Sequence, residues 1–158
     1  MSNYSLNNIS TSTDRHKIYT LLCNPSELKD KIELVKAQNI HVINLGKELA
    51  EYIDRLDDYS YLSIDVCDYC KKLLNDYKVK INGVGNDVVA IYNVGIILEP
   101  ILELKPVTIF SDFSISTALL IIWENQYDIP DRLNWTTQKN NYALDFSDSP
   151  LKKLQDAI

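Results

Sequence analysis

The run Thr117-Ala118-Leu119-Leu120-Ile121-Ile122-Trp123 carries no charged side chain and is the strongest indication of how the chain folds. A continuous apolar run of this length, without alternation, is typical of a strand that is covered on both faces. Residues 88–92 (VVAIY) form a second such run, and residues 18–23 (IYTLLC) and 40–43 (IHVI) form two shorter ones. Strands buried on both faces belong to parallel sheets, so these runs predict an α/β domain.

Amphipathic segments with well-marked starts lie between the predicted strands. Asn24 can cap a helix, Pro25 suits its first position, and Glu27 sits where a carboxylate returns to the cap amide. Asn44 predicts the cap of a second helix, and a third helix is expected to begin near Ser63. A fourth helix is predicted over residues 107–113. The alternation predicts a three-layer domain whose mainly parallel central sheet has about four or five strands, flanked by helices on both faces.

The two ends of the chain carry weaker patterns. Residues 1–14 are rich in Ser, Thr and Asn, which predicts a flexible arm outside the core, with a single domain over residues 15–158. Short strand-like pieces are expected near residues 133–137 and 142–146, and a final short helix from Pro150.

Composition and charge exclude several functional classes. The net charge of -6 and the pI near 4.8 disfavour direct nucleic-acid binding, which needs clustered Lys and Arg. No apolar run approaches the roughly 18 residues of a membrane span, and the start is polar, so we expect a soluble, cytoplasmic protein with no membrane partner. Three cysteines, an odd number, predict free thiols.

Chemistry-bearing residues are sparse. Cys67 and Cys70 form a C-x-x-C, but the pair falls inside a predicted helix and has no second pair with which to hold zinc, so Cys70 is predicted to be core. No nucleophile or orienting partner for His41 can be assigned from the sequence, so His41 is predicted to be a structural or surface histidine. We therefore predict no catalytic residue, no metal and no cofactor.

Large aromatics beside predicted turns are the remaining signal. Core and interface aromatics cannot be separated by composition, but exposed ones commonly anchor protein contacts. The candidate interface residues are Tyr59, Tyr61, Tyr127 and Trp135.

From residue 18 to residue 146 the order of these pieces resembles the small P-loop proteins of BREX phage-defence operons, the BrxF-like family. The matching residues are Asn44-Leu45, Glu48-Leu49, residues 88–93 (VVAIYN), residues 96–100 (IILEP), Ser114, Trp123, Leu133 and Trp135. The resemblance implies a P-loop-NTPase-like fold for the domain and a place in a bacterial anti-phage complex.

The nucleotide machinery that the resemblance implies is degenerate in this sequence. A P-loop needs G-x-x-x-x-G-K-[ST] between the first strand and its helix, whereas residues 23–31 (CNPSELKDK) contain no glycine. Pro25 removes an amide donor, and the Glu27 carboxylate would repel phosphate there. Tyr92 and Asn93 stand where such enzymes hold magnesium with an acid, and Gly95 stands where the family carries a further Glu. A polar cluster of the family reads Ser114-Ile115-Ser116 here. The degenerate positions are Asn24, Pro25, Ser26, Glu27, Tyr92, Asn93 and Gly95.

These observations lead to three functional expectations. The first is a non-catalytic pseudo-NTPase subunit that binds other protein subunits in a bacterial anti-phage defence complex. The second is a small acidic inhibitor, such as an immunity protein, an antitoxin or a phage counter-defence factor, that masks a partner's surface. The third is an enzyme with chemistry at the strand ends, using Cys23, Asn93 or Glu124, although no base and nucleophile pair can be assigned.

Overall fold

The computed structural model describes residues 6–124, 127, 130–134 and 143–154. Its helices are α1 (Leu6–Thr11), α2 (Leu28–Lys36), α3 (Leu45–Asp54), α4 (Leu62–Tyr77) and α5 (Pro106–Ser116). Its strands are β1 (Ile18–Leu22), β2 (Val42–Asn44), β3 (Val79–Lys80), β4 (Asp87–Tyr92), β5 (Thr117–Trp123), β6 (Arg132–Asn134), β7 (Ala143–Asp145) and β8 (Lys152–Lys153). Single 3₁₀ turns occupy Pro25–Glu27, Ile81–Gly83, Gly95–Leu98 and Pro100–Leu102.

The central sheet is mainly parallel, which confirms the predicted α/β class. Five strands run parallel in the order β2-β4-β5-β1-β8, and β3 adds a short antiparallel pair at the start of β4. The sheet thus has six strands, where about four or five were expected, because the two-residue strands β3 and β8 leave no periodic pattern. A separate antiparallel pair, β6-β7, falls near the predicted C-terminal strand pieces.

Helices cover both faces of the sheet. On one face α3, α4 and α5 pack against Val89 and Ile91 of β4 and against alternate residues of β5. On the other face α1 and α2 pack against Val88 and Ala90. Every residue of β5 is buried, as expected for a strand at the centre of a doubly covered sheet.

The start of the chain differs from the prediction of a flexible arm outside the core. Residues 6–11 form α1, and Ile9 is fully buried against the sheet. The Asn86 side chain donates hydrogen bonds to the carbonyls of Ile9 (3.0 Å) and Ser12 (2.9 Å), and its amide donates to Ser10 O (2.8 Å). The helix docks because one apolar side chain and these long-range bonds hold it, which its polar composition does not reveal.

The predicted helix from Pro150 is wrong. Lys152 and Lys153 form β8, which pairs in parallel with Tyr19 and Thr20 of β1. The amide of Leu154 donates to Thr20 O at 2.7 Å, and Leu154 is buried. The open edge of β1 offers backbone partners to this segment, and that pairing overrides its local preference.

None of the helices in the described part of the chain has the length and apolar character that a bilayer crossing requires.

Candidate functional site

The carboxyl ends of the central strands meet at one edge of the sheet, as the sequence predicts for parallel strands. Leu22 of β1 is in register with Trp123 of β5, and the Cys23 amide donates to Trp123 O at 3.0 Å. Asn44 of β2 is in register with Tyr92 of β4. This edge is where ligands of open α/β sheets bind, so it is the first place to look for chemistry.

The connection from β1 to α2 is closed by its own side chain. A 3₁₀ turn (Pro25–Glu27) precedes α2, and Oε1 of Glu27 accepts a hydrogen bond from the Asn24 amide at 3.0 Å. The Glu27 amide donates to Asn24 O at 2.9 Å and closes the turn. Asn24, Pro25, Ser26 and Glu27 are all exposed. A helix start attracts anions through its free amides and its dipole, and here a carboxylate of the chain already lies against it.

The end of β4 carries an amide pair. Asn93 has a left-handed backbone (φ 56°), and its Nδ2 donates to Oδ1 of Asn44 at 2.8 Å. The same Asn44 oxygen accepts from the Lys47 amide at 3.1 Å and thereby caps α3, as predicted. Gly95 begins the 3₁₀ turn Gly95–Leu98, and Tyr92 is half-buried against the α1 and α2 face. Neutral amides that are bonded to each other are poor ligands for magnesium, which prefers carboxylates.

Ser114 does not join these residues. It lies near the end of α5, before the amino end of β5, and therefore at the opposite edge of the sheet from Asn93. Its hydroxyl is buried and donates to Ser111 O at 2.7 Å, while Nδ1 of His16 lies 3.3 Å from the hydroxyl and 3.0 Å from Ser111 O. The hydroxyl is thus part of a structural network, and residues 114–116 lie at the opposite edge of the sheet from the β1-α2 turn.

The four aromatic interface candidates fall in different environments. Tyr59 and Tyr61 are 56% and 66% exposed. Tyr127 is half-buried against the core, and its hydroxyl oxygen accepts from the Asp131 amide at 3.3 Å. Trp135 lies outside the described residues. Tyr59 and Tyr61 therefore have the accessibility that an interface needs, whereas Tyr127 has a structural partner.

Tyr59 lines an apolar groove of about 440 Å³ that the sequence analysis did not identify. Its walls come from Ile53 at the end of α3, Leu62 at the start of α4, and Ile96 and Ile101 from the 3₁₀ turns, with the buried Leu102 beneath. Ile101 is 76% exposed. The single sequence signal was an isoleucine between Pro100 and Leu102 in a short connection, and its neighbours across the groove are about forty positions away.

A second cavity of about 500 Å³ runs beside β2, an edge strand of the sheet. It is lined by Lys36, His41, Glu48 and Tyr77 among others, and the His41 and Tyr77 rings meet edge to face with centroids 5.6 Å apart. His41 is exposed, in agreement with its prediction as a structural or surface histidine. The described residues that line this cavity include no Ser, Thr or Cys, the side chains that a histidine base usually activates as nucleophiles.

The cysteines are free thiols within the described residues, and C-x-x-C lies inside α4 as predicted. Burial, with a smaller contribution from Cys67, raises the pKa of the Cys70 thiol to about 12. A buried thiol that stays protonated is a poor nucleophile and a poor metal ligand. In the part of the chain that the structure describes, no group of three or more His, Cys, Asp or Glu side chains is placed to hold a metal ion.

Comparisons with protein-family models, with curated proteins and with solved structures found no match to this chain. The α/β class with a mainly parallel sheet is therefore established by the structure alone. The resemblance to the BrxF-like proteins remains a prediction from the sequence.

Proposed function

We propose that this chain is a non-catalytic, P-loop-like subunit that binds a partner protein in a bacterial anti-phage defence complex. The observation that carries the proposal is the 3.0 Å bond from the Asn24 amide to the Glu27 carboxylate. It occupies the helix start that would have to receive phosphate, and it brings a negative charge to the place where a triphosphate needs positive ones.

The end of β4 adds support. The resemblance implies a magnesium-binding acid there, whereas this chain has Asn93, whose side chain is hydrogen-bonded to Asn44. A sheet that is kept while both halves of the nucleotide site are lost fits a scaffold that acts by contact with other proteins.

A thermal-shift titration with ATP and Mg²⁺ tests the loss of the nucleotide site. A ligand that binds the native state must raise its melting temperature, so we expect no rise at millimolar nucleotide. An active P-loop ATPase in the same buffer is the positive control. The Glu27→Gln variant removes the negative charge but adds neither the glycines nor the lysine that a P-loop needs. Its melting temperature is therefore also expected not to rise with nucleotide. A concentration-dependent rise in the melting temperature of the unaltered protein would contradict the proposal.

A tagged chain recovered from its native cells tests the second half of the proposal. We expect mass spectrometry of the recovered material to identify subunits of a phage-defence complex in stoichiometric amounts. Recovery of the tagged chain without any other protein, from cells that express the defence complex, would count against a subunit role.

The acidic inhibitor is the second candidate, because the chain segments that form the apolar groove described above carry four carboxylates, one of which, Glu99, lines it. An inhibitor masks a basic or catalytic surface, so the partner should lose its activity on binding, and the association should weaken steeply with salt. A subunit leaves the activity of its complex intact or makes it possible. Adding the purified chain to the recovered partner therefore separates the two candidates.

A further inference from the structure

An apolar groove lies between α3, α4 and the 3₁₀ turns. The groove is formed by the apolar residues Ile53, Tyr59, Leu62, Ile96, Ile101 and Leu102, together with Glu99. Large apolar side chains gathered on a concave surface mark a site that excludes water only when a partner fills it.

The aromatic wall of the groove is fixed in place before any partner arrives. The Tyr59 hydroxyl donates to Ile53 O at 3.3 Å, which holds the ring across the last turn of α3. Ile53 and Leu62 are half-buried against the core, so these two wall residues belong to the packed part of the domain. A preorganised wall lowers the entropy that a partner must give up on binding.

The chain segments that form the groove carry charges of one dominant sign. Between Ile53 and Leu62, and between Ile96 and Leu102, the chain carries four carboxylates (Asp54, Asp57, Asp58 and Glu99) and one guanidinium (Arg55), all exposed. Glu99 itself lines the groove. The Ser60 hydroxyl and amide donate to Asp58 Oδ1 at 2.6 and 2.9 Å, and these bonds lower the pKa of that carboxyl, so it stays charged.

We infer that the groove binds a basic amphipathic segment of a partner protein, one that places bulky apolar side chains against Ile101 and Tyr59 and Lys or Arg beside the carboxylates. An apolar floor with an acidic border is complementary to that chemistry and repels acidic segments. The inference rests on the proposed function only in that the chain acts by binding a protein. It names the surface and the chemistry of what binds there.

The test uses a fluorescent Leu/Lys amphipathic peptide as the probe, with a Leu/Glu peptide of the same apolar pattern as its control. We expect the Leu/Lys peptide to bind the full chain and the Leu/Glu peptide not to bind. Ile101→Asp is expected to weaken binding by about tenfold or more, the effect of losing one central interface side chain. Val84→Asp is the matched control, because Val84 is also exposed and apolar but does not line the groove.

The control variant separates the groove from general attraction to an acidic protein. Both substitutions add one negative charge, so attraction without a site would strengthen binding in both variants. Equal affinity of the Ile101→Asp and Val84→Asp variants for the peptide would overturn the inference, and so would no binding of the Leu/Lys peptide at about 100 μM, a concentration that detects even weak peptide contacts. The melting temperature of each variant shows whether it is folded. Ile101→Ser removes the apolar side chain without adding a charge, and it replaces Ile101→Asp if that variant does not fold.

A second copy of the chain is the alternative occupant, and sedimentation velocity distinguishes it. A dimer of the unaltered protein that becomes a monomer in the Ile101→Asp variant would assign the groove to self-association and overturn the inference. A monomer in both cases agrees with it. These outcomes do not depend on the ATP titration. The proposed loss of the nucleotide site and the proposed occupant of the groove are therefore tested independently.

Discussion

The side-chain amide of Asn93 donates a 2.8 Å hydrogen bond to Oδ1 of Asn44, which ties the end of β4 to the start of α3. The two residues are 49 positions apart, and the Asn44 oxygen also caps α3 through the Lys47 amide. Gly46 makes this contact possible, because a Cβ on it would lie 2.5 Å from Nδ2 and 2.8 Å from the carbonyl oxygen of Asn93. The sheet edge is therefore held by a packed amide pair.

Gly46→Ala is expected to destabilise the fold by about 1–3 kcal/mol, because the added methyl group collides with both backbone and side chain of Asn93. Urea unfolding measures the change. Asn93→Gly suits the left-handed backbone and removes the side-chain half of the collision, so Gly46→Ala should cost less in that background. An unchanged urea midpoint for Gly46→Ala would show that Asn93 does not pack tightly against Gly46.

Ile9→Ala is expected to release α1 from the sheet. Removal of a buried Ile side chain costs about 2–5 kcal/mol, and Ile9 is the α1 residue that belongs to the core cluster among the described side chains. Trypsin should then cleave after the exposed Arg15 at least about tenfold faster, since cleavage follows the population of the open form. Thr13→Ala, at an exposed position nearby, serves as the control. Equal cleavage of the Ile9→Ala and Thr13→Ala variants would contradict the docking of α1.

Lys17→Met is expected to destabilise the protein by about 1.5–3 kcal/mol, the typical contribution of a hydrogen bond from a charged group. Lys17 is only 7% exposed, and its Nζ donates to Ile115 O at 2.9 Å at the end of α5, where a cation also suits the helix dipole. The loss should appear in urea unfolding of the variant. Lys71→Met, at an exposed position in α4, is expected to change the stability by much less.

Cys70 is expected to resist alkylation by iodoacetamide at pH 9 while Cys23 and Cys67, which are half-buried, react first. Its folded pKa of about 12 lies above the ordinary value near 8.5, so its contribution to stability is complete below about pH 8.5 and is lost as pH rises towards 12. Mass spectrometry of the labelled peptides measures the order of reaction, and in urea the three thiols should react alike. Cys70→Ala should show a shallower decline in stability between about pH 9 and 12.

Much of the central architecture was predictable because its signals are local. Thr117–Trp123 was predicted with both of its bounds, since a continuous apolar run has one stable place in an α/β domain, the middle of the sheet. The Asn44 cap and the bond from Glu27 back to Asn24 were predictable for the same reason, because each joins residues three positions apart.

The errors lie where distant parts of the chain decide the outcome. Residues 6–11 read as a polar arm, and they become a helix because Asn86 and the sheet supply partners. Residues 152–153 read as part of a helix, and they become a strand because β1 has an open edge.

The sequence by itself determined the order of the main strands and helices from β1 to β5, the buried central strands and the carboxylate that closes the β1-α2 turn, because each depends on residues within one or two turns of each other. The tertiary structure alone decided the Asn44-Asn93 pair, the place of β8 in the sheet and the groove around Tyr59 and Ile101. Those features need segments far apart in the chain to meet, and their meeting depends on how every intervening element packs.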